Sequence, residues 1–270
     1  MARPALPEKN RERLALVLRQ GGDLITIDDA TAALGIGRTE AAKLLGRWQG
    51  QGWLLRVRRG LYAAVPLTSR QDEQVIEDPW TLVPELFDPG YIGGASAAQH
   101  WDLTEQLFRP VFVFTARPVR QAHQTIQGTP FVVRHIPAAR IFGMRTLWRG
   151  RVKLQISDPA RTIIDMLDDP RTGGGIRHVA DCLKAYLARD DADPKLLITY
   201  AEKIGNGAVF KRLGFLAERD GGPASLVSAC AQRLTQGVVN LEPGQRSTTF
   251  LSQWRLRLPE RWKAESMAHD

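Results

Sequence analysis

The stretch RTEAAKLLGRWQGQGWLLRVRRGLYAAV, residues 38–65, carries two patterns end to end. In its first half Ala41, Leu44, Leu45 and Trp48 recur at i, i+3, i+4 and i+7, the spacing of one helix face, and Gly50 and Gly52 close the run. The opposite face holds Arg38, Thr39, Lys43 and Arg47, and the last three follow one another at intervals of four, so they line one side of the helix. In its second half three cations, Arg56, Arg58 and Arg59, crowd into a short apolar ribbon. Like charges repel, and a strand core does not require them; a polyanion lying alongside would. The ribbon fits two short strands turned at Arg58-Arg59-Gly60, with Leu55, Val57, Leu61 and Ala63 available for an inner face. Arg56 and Arg58 then alternate outward, and Arg59 sits at the tip.

Working outward, EKNRERLALVLRQ (residues 8–20) places Leu14, Val17 and Leu18 at helical spacing and stops at Gly21-Gly22. ITIDDATAALGI follows; Asp28 or Asp29 can cap a short helix whose Ala30, Ala33 and Leu34 face inward. Gly35-Ile36-Gly37 is a tight turn into the helix at residue 38. Two helices joined by such a turn form a helix-turn-helix, and a hairpin directly after its second helix is the wing of a winged helix. The second helix would meet the major groove with its N-terminal residues, and Lys43 and Arg47 would contact phosphates or donate to guanine. The arginine-bearing wing would lie along the backbone or in the minor groove. A winged helix can also serve protein contacts, and the hairpin alone fits a solvated surface equally well.

The distribution of charge supports the first reading. The chain has 270 residues and a formal net charge of +8, with a pI of about 9.9. Residues 1–70 contain 12 cations and 6 anions, so the first quarter carries +6 of the total. The remaining 200 residues, with 25 cations and 23 anions, are nearly neutral as a whole. A basic head is the footprint of nucleic-acid binding. At 43% hydrophobic the chain is globular, and no apolar run approaches the ~20 residues of a membrane helix. The N-terminal sequence lacks a signal-peptide pattern, which predicts a cytoplasmic protein. The two cysteines, Cys182 and Cys230, are far apart, and the five histidines form no helical clamp, so neither a disulfide framework nor a metal site is expected.

After the polar run LTSRQDEQ (residues 67–74), read as a linker, the composition changes. DPWTLVPELFDPG reads as a short helix begun at Asp78-Pro79 and ended at Asp88-Pro89-Gly90. Small residues from Gly93 to Ala98 imply a closely packed helix start; the pair Gly93-Gly94 lacks the spaced glycines and lysine of a phosphate cradle. Residues 110–156 read as strands, with Arg149-Gly150 as a turn candidate. From SDPARTIIDMLDD onward the chain reads as successive helices, the first capped by Ser157 or Asp158, and STTFLSQWRLRLP reads as a final strand pair or tail.

Asp158, Arg161 and Asp165 form the one polar set in the body with a catalytic look. The i, i+4 spacing of Arg161 and Asp165 suits an ion pair, and Asp158 suits a cap. A metal-dependent nuclease would need an acidic pair with Glu-x-Lys on a strand, and Glu202-Lys203 does not supply it. Seven tryptophans spread through the chain suit cores and interfaces better than a base-stacking platform. An enzyme carried to DNA by the winged helix, and a winged helix that binds protein, stand as alternatives to a DNA-binding regulator.

Three segments in order, RRGLYAAVP, YIGGASAAQHWDLTEQ and ISDPARTIIDMLDDPRTGGGIRHVADCLKAYL, resemble the AbiEi family of antitoxins and transcriptional regulators from type IV toxin–antitoxin systems. The resemblance covers about residues 8–190. It implies a non-enzymatic repressor whose winged helix binds double-stranded DNA at its own operon, and a larger domain that counters a nucleotidyltransferase-like toxin; it implies no cofactor. The resulting expectation is an α+β chain: a winged helix over residues 1–70, then a mixed α/β domain over 75–270 with a mostly helical C-terminal part.

Overall fold

The structure, a computed structural model, describes residues 7–22, 24–65, 78–245, 247 and 249–262. The linker expected at residues 67–74 lies outside them. The chain divides into two compact units. The first comprises Met1–Leu82 with two short segments, Thr125–Thr129 and Arg149–Val152; the second comprises Val83–Gln124, Pro130–Trp148 and Lys153–Asp270.

The first unit runs α1 (Glu8–Gly21), β1 (Leu24–Thr26), α2 (Ile27–Leu34), α3 (Arg38–Gly50), β2 (Leu54–Arg58) and β3 (Leu61–Ala64), the element order of a winged helix. Its strands form an antiparallel sheet in the order β1-β3-β2. Leu14 and Val17 of α1, Ala30 of α2 and all four stripe residues of α3, Ala41, Leu44, Leu45 and Trp48, meet Ile25, Leu54 and Tyr62 of the sheet in one core. The helix at residue 27 starts two residues earlier than a cap at Asp28 would place it. Thr26 is its N-cap: its Oγ1 accepts from the Asp29 amide (3.1 Å), while Asp29 Oδ2 accepts from the Thr26 amide (2.8 Å). This reciprocal capping box leaves Asp28 outside the cap.

The wing departs from simple alternation. Leu55 pairs with Ala63 and Arg56 with Tyr62, but the next pair is Arg58 with Leu61, so Val57 is an extra residue on its strand. Cross-strand partners point to the same face, so the bulge sends Arg56 and Arg58 to opposite faces rather than one. Of the four residues expected on an inner face, Leu61 and Ala63 are buried, while Leu55 and Val57 are only half-buried and Leu54 and Tyr62 enter the core instead.

A 3-10 turn over Pro79–Thr81 ends the first unit's main segment, and α4 (Leu82–Phe87) leads into the second. A six-stranded sheet follows, in the order β6-β7-β5-β4-β9-β8. It comprises β4 (Gly90–Ile92), β5 (Val111–Thr115), β6 (His123–Ile126), β7 (Thr129–His135), β8 (Met144–Arg149) and β9 (Val152–Ser157). Central β4 pairs antiparallel with β5 and parallel with β9, and β5 pairs parallel with β7. The hairpin turn between β8 and β9 is Gly150-Arg151, one residue later than expected, with Gly150 at φ +58°. Between β4 and β5 lies α5 (Gly94–His100). Its glycine start is a packing device: a Cβ on Gly94 would sit 2.5 Å from the Thr172 carbonyl oxygen, and one on Gly93 2.7 Å from the Phe114 ring.

The helical part comprises α6 (Pro159–Asp168), α7 (Ile176–Leu187), α8 (Pro194–Ile204), α9 (Gly207–Arg219) and α10 (Ala224–Ala231). The caps are Asp158 for α6, Asp193 for α8 and Asn206 for α9. Three short strands, β10 (Val239–Asn240), β11 (Thr249–Leu251) and β12 (Leu256–Leu258), make a second sheet in the order β10-β12-β11 where a strand pair or tail was expected. Trp254 and Trp262 join the same core as α6, α7 and α9.

A buried polar network fastens α6 to the sheet. Arg161 and Asp165 are 1% and 2% exposed and pair at 2.9 Å. Tyr91, on β4, donates its hydroxyl to Asp165 (3.0 Å to Oδ2) and accepts from Arg161 Nη2 (2.9 Å). The guanidinium also stacks over the Phe142 ring, 4.2 Å from its centroid. Burial raises the Asp165 carboxyl to about 6, against the pull of the Arg161 charge and the Tyr91 hydrogen bond.

Two outcomes are expected. Thr26→Ala removes one half of the capping box and costs about 1 kcal/mol, read as roughly fivefold faster hydrogen exchange in α2; Asp28→Ala costs less. Asp165→Ala leaves Arg161 charged and buried without its acid, and destabilises the second unit by about 3–5 kcal/mol in urea unfolding. Because the folded value of Asp165 lies above its ordinary value, its contribution is fully present below pH ~4 and is lost as pH rises through about 6. The decline of thermal stability over that window in the native chain should be absent in Asp165→Asn.

Candidate nucleic-acid interface

The apolar stripe of α3 fixes which way its polar side points. With Ala41, Leu44, Leu45 and Trp48 all buried, Arg38, Thr39, Lys43 and Arg47 are left exposed. Thr39, Lys43 and Arg47 descend the helix in one row, with Arg38 beside its start at the N-terminus, where the cap residue is Gly37 and makes no side-chain hydrogen bond to the first turn. The amides of that turn therefore face outward beside the row, an arrangement suited to a phosphate oxygen.

The four residues are not equivalent. Arg38 pairs with Asp28 of α2 across the turn, both side chains well exposed. An exposed pair of this kind contributes at most about 1 kcal/mol; it steers the guanidinium without locking it. Arg13 of α1 approaches Glu40 at 3.7 Å. Lys43 and Arg47 form no ion pair among the described residues; Lys43 stands in the middle of the row and Arg47 in the last turn of the helix. The Asp28–Arg38 pair lies ten residues apart in sequence and had no signature there.

In the wing, Arg56, Arg58 and Arg59 are all exposed. The bulge at Val57 spreads the first two over both faces of the hairpin, and Arg59 occupies the turn with Gly60, whose φ is +82°. A wing with cations on both faces and at its tip can follow a curved phosphate backbone with more than one edge. The geometry thus leaves one face of α3 and both faces of the hairpin lined with exposed cations.

The other polar set considered from sequence is built differently. Asp158 accepts from the Arg161 amide (2.7 Å) as the cap of α6 and from the Tyr200 hydroxyl (2.8 Å). Asp165 is enclosed with Arg161 and Tyr91. The two carboxylates are thus engaged in fold contacts. Among the described residues, no group of three or more His, Cys, Asp and Glu side chains is placed to hold a metal ion, and no helix is long and apolar enough to cross a membrane.

Comparison with known proteins bears on the first unit most directly. Residues 12–65 match the family described as transcriptional regulator, AbiEi antitoxin. The match runs from within α1 to the residue after β3, so it covers the helix-turn-helix and the wing. Comparison with curated proteins finds no match to the chain. Among solved structures the chain is similar to the RV2827C protein from Mycobacterium tuberculosis, with a TM-score of 0.67 at 17% identity, covering 95% of this chain and 94% of that one. That likeness is one of fold, and it extends through both units.

Proposed function

We propose that this protein is a DNA-binding transcriptional repressor of the AbiEi antitoxin kind, acting in the cytoplasm on its own operon and countering a nucleotidyltransferase-like toxin through its second unit. The observation that carries the DNA-binding part is the exposed row Arg38, Thr39, Lys43 and Arg47 on α3, followed at once by a wing with Arg56, Arg58 and Arg59. The match of residues 12–65 to antitoxin regulators supports the regulatory part. The antitoxin part rests on the motifs of the body, Gly93-Gly94-Ala95-Ser96 and Ser157–Asp165, which resemble that family.

In this reading α3 lies in the major groove. Thr39, near its N-terminus, meets a base edge or phosphate, and Lys43 and Arg47 reach phosphates or guanine. Arg38 exchanges Asp28 for a phosphate on binding. The wing arginines hold the adjoining backbone, where their charge displaces condensed counterions. No residue of the chain has to perform chemistry for this function: repression follows from occupancy of the operator.

The test is fluorescence anisotropy of the full chain on the DNA upstream of its own gene, beside a scrambled duplex, at two salt concentrations. Tight binding that prefers its own DNA and weakens steeply with salt is expected. Lys43→Ala/Arg47→Ala should weaken it by about tenfold or more, and each wing arginine replaced by Ala should lower the log–log salt slope by about 0.9 if it holds one phosphate. Weak binding that ignores sequence, salt and these substitutions would show instead that the winged helix binds protein. Coexpression with the adjoining nucleotidyltransferase-like protein tests the antitoxin part separately: growth restored by the full chain, and by the DNA-binding variant too, is the expected result.

A further inference from the structure

The near-neutral charge of the body hides a strong local bias. Residues 106–157, which include five of the six strands of the main sheet, contain nine Lys and Arg residues and no Asp or Glu. Three of the nine make contacts within the fold: Arg134 pairs with Asp168 at 2.7 Å, Arg149 approaches Asp78 at 3.5 Å and the Trp80 ring at 5.1 Å, and Arg117 donates to the Leu86 carbonyl at 3.4 Å. Arg151 and Lys153, on the β8–β9 hairpin at the sheet edge, are exposed.

The same hairpin carries the most exposed tryptophan of the described residues. Trp48, Trp254 and Trp262 are buried and Trp53, Trp80 and Trp101 half-buried, but Trp148 is 61% exposed. Its neighbours on that face are polar. Thr146 and Gln155 are hydrogen-bonded across the two strands at 3.2 Å, and side chains two apart share a face, so Trp148 and Lys153 lie beside them. Arg151 is in the turn just beyond. Arg145 alternates to the other face and takes no part. Burying an indole is worth a kilocalorie or more, so one left in water beside two cations and an amide is suited to a ligand with a flat apolar face and a negative charge.

We propose that the β8–β9 hairpin is a second nucleic-acid site, one for unpaired RNA: a base stacks on Trp148 while Lys153 and Arg151 hold the flanking phosphates and Gln155 or Thr146 bonds to base or ribose. A base inside a duplex has both faces covered, so an exposed indole on a flat edge selects unpaired nucleotides, which in a cell are mostly RNA. The site uses none of the residues of α3 or the wing, and the proposal stands whether or not the winged helix binds an operator.

The test uses the full chain and an unstructured oligouridine, followed by anisotropy at low salt, with oligothymidine and a mixed-sequence duplex as parallel arms. Trp148→Ala should weaken RNA binding by about tenfold, because stacking one base contributes 1–3 kcal/mol. Trp148→Phe should restore most of it, and Lys153→Ala and Arg151→Ala should each lower the salt slope by about 0.7 if each holds one phosphate. Duplex binding should be untouched by Trp148→Ala, and RNA binding untouched by Lys43→Ala/Arg47→Ala. Since Trp148 is mostly exposed, an unchanged melting curve for Trp148→Ala confirms that the fold is intact. RNA affinity that survives Trp148→Ala, or that falls only with Lys43 and Arg47, overturns the proposal. So does tighter binding to oligothymidine than to oligouridine, or equal loss of duplex binding in Trp148→Ala.

Discussion

The second unit depends on one buried ion pair. Arg161 and Asp165 sit on the central helix of the fold, α6, whose residues Ala160–Leu167 are all buried. Neither charge can face water, so each must be satisfied by the other and by Tyr91 of β4. Since β4 is flanked by β5 and β9, the bond to Tyr91 fixes α6 against the middle of the sheet. From that position the remaining helices take their places: α6 contacts α5, α7, α8 and α9. At its far end Arg212 of α9 donates to the carbonyls of Leu167 (2.7 Å), Asn240 (3.0 Å) and Leu241 (3.1 Å), joining α6 to the strand at β10. A hydrophobic core supplies most of the driving force in such a unit, but it does not by itself choose one orientation of helix on sheet; directional bonds between buried polar groups do.

The first unit works by the opposite logic. Its polar groups of interest are on the outside, and what positions them is apolar. The four buried residues of α3 determine the direction of Lys43 and Arg47 as firmly as any hydrogen bond would, because rotating the helix would expose Trp48. The long side chains of Lys43 and Arg47 form no ion pair among the described residues and keep their freedom at the surface. This suits electrostatic recognition, where much of the affinity comes from released counterions rather than from pre-formed contacts.

The sequence was most legible where structure is local. The three helices of the winged helix follow from spacing within a dozen residues, as do the α6 cap at Asp158 and the i, i+4 pair of Arg161 with Asp165. The wing was legible as a hairpin but not in its facing, since a single extra residue at Val57 has no mark in an alternating pattern. Strand β4 is three residues long and β6 reads HQTI, half exposed and polar, so neither carries an apolar signal strong enough to stand out. Tyr91 is 74 residues from Asp165, a distance at which pattern reading is blind. Charge was misleading in a different way. Averaging over 200 residues cancelled the nine cations of residues 106–157 against acids placed elsewhere, and counting tryptophans said nothing of which one would be left outside.

The packing of Trp254 has a consequence for how the protein is made. The indole lies so closely against Gly214 that a Cβ there would clash with the ring, and Leu256, Leu258 and Trp262 complete the same core. The body therefore cannot close until a ribosome has delivered residues near 262. The core of the winged helix draws on no described residue beyond β3, so all of its residues are delivered long before those of the body. At ordinary elongation rates of about 5–20 residues per second, the two events are separated by roughly 10–40 s. During synthesis the nascent chain thus presents a folded winged helix on an unfinished body.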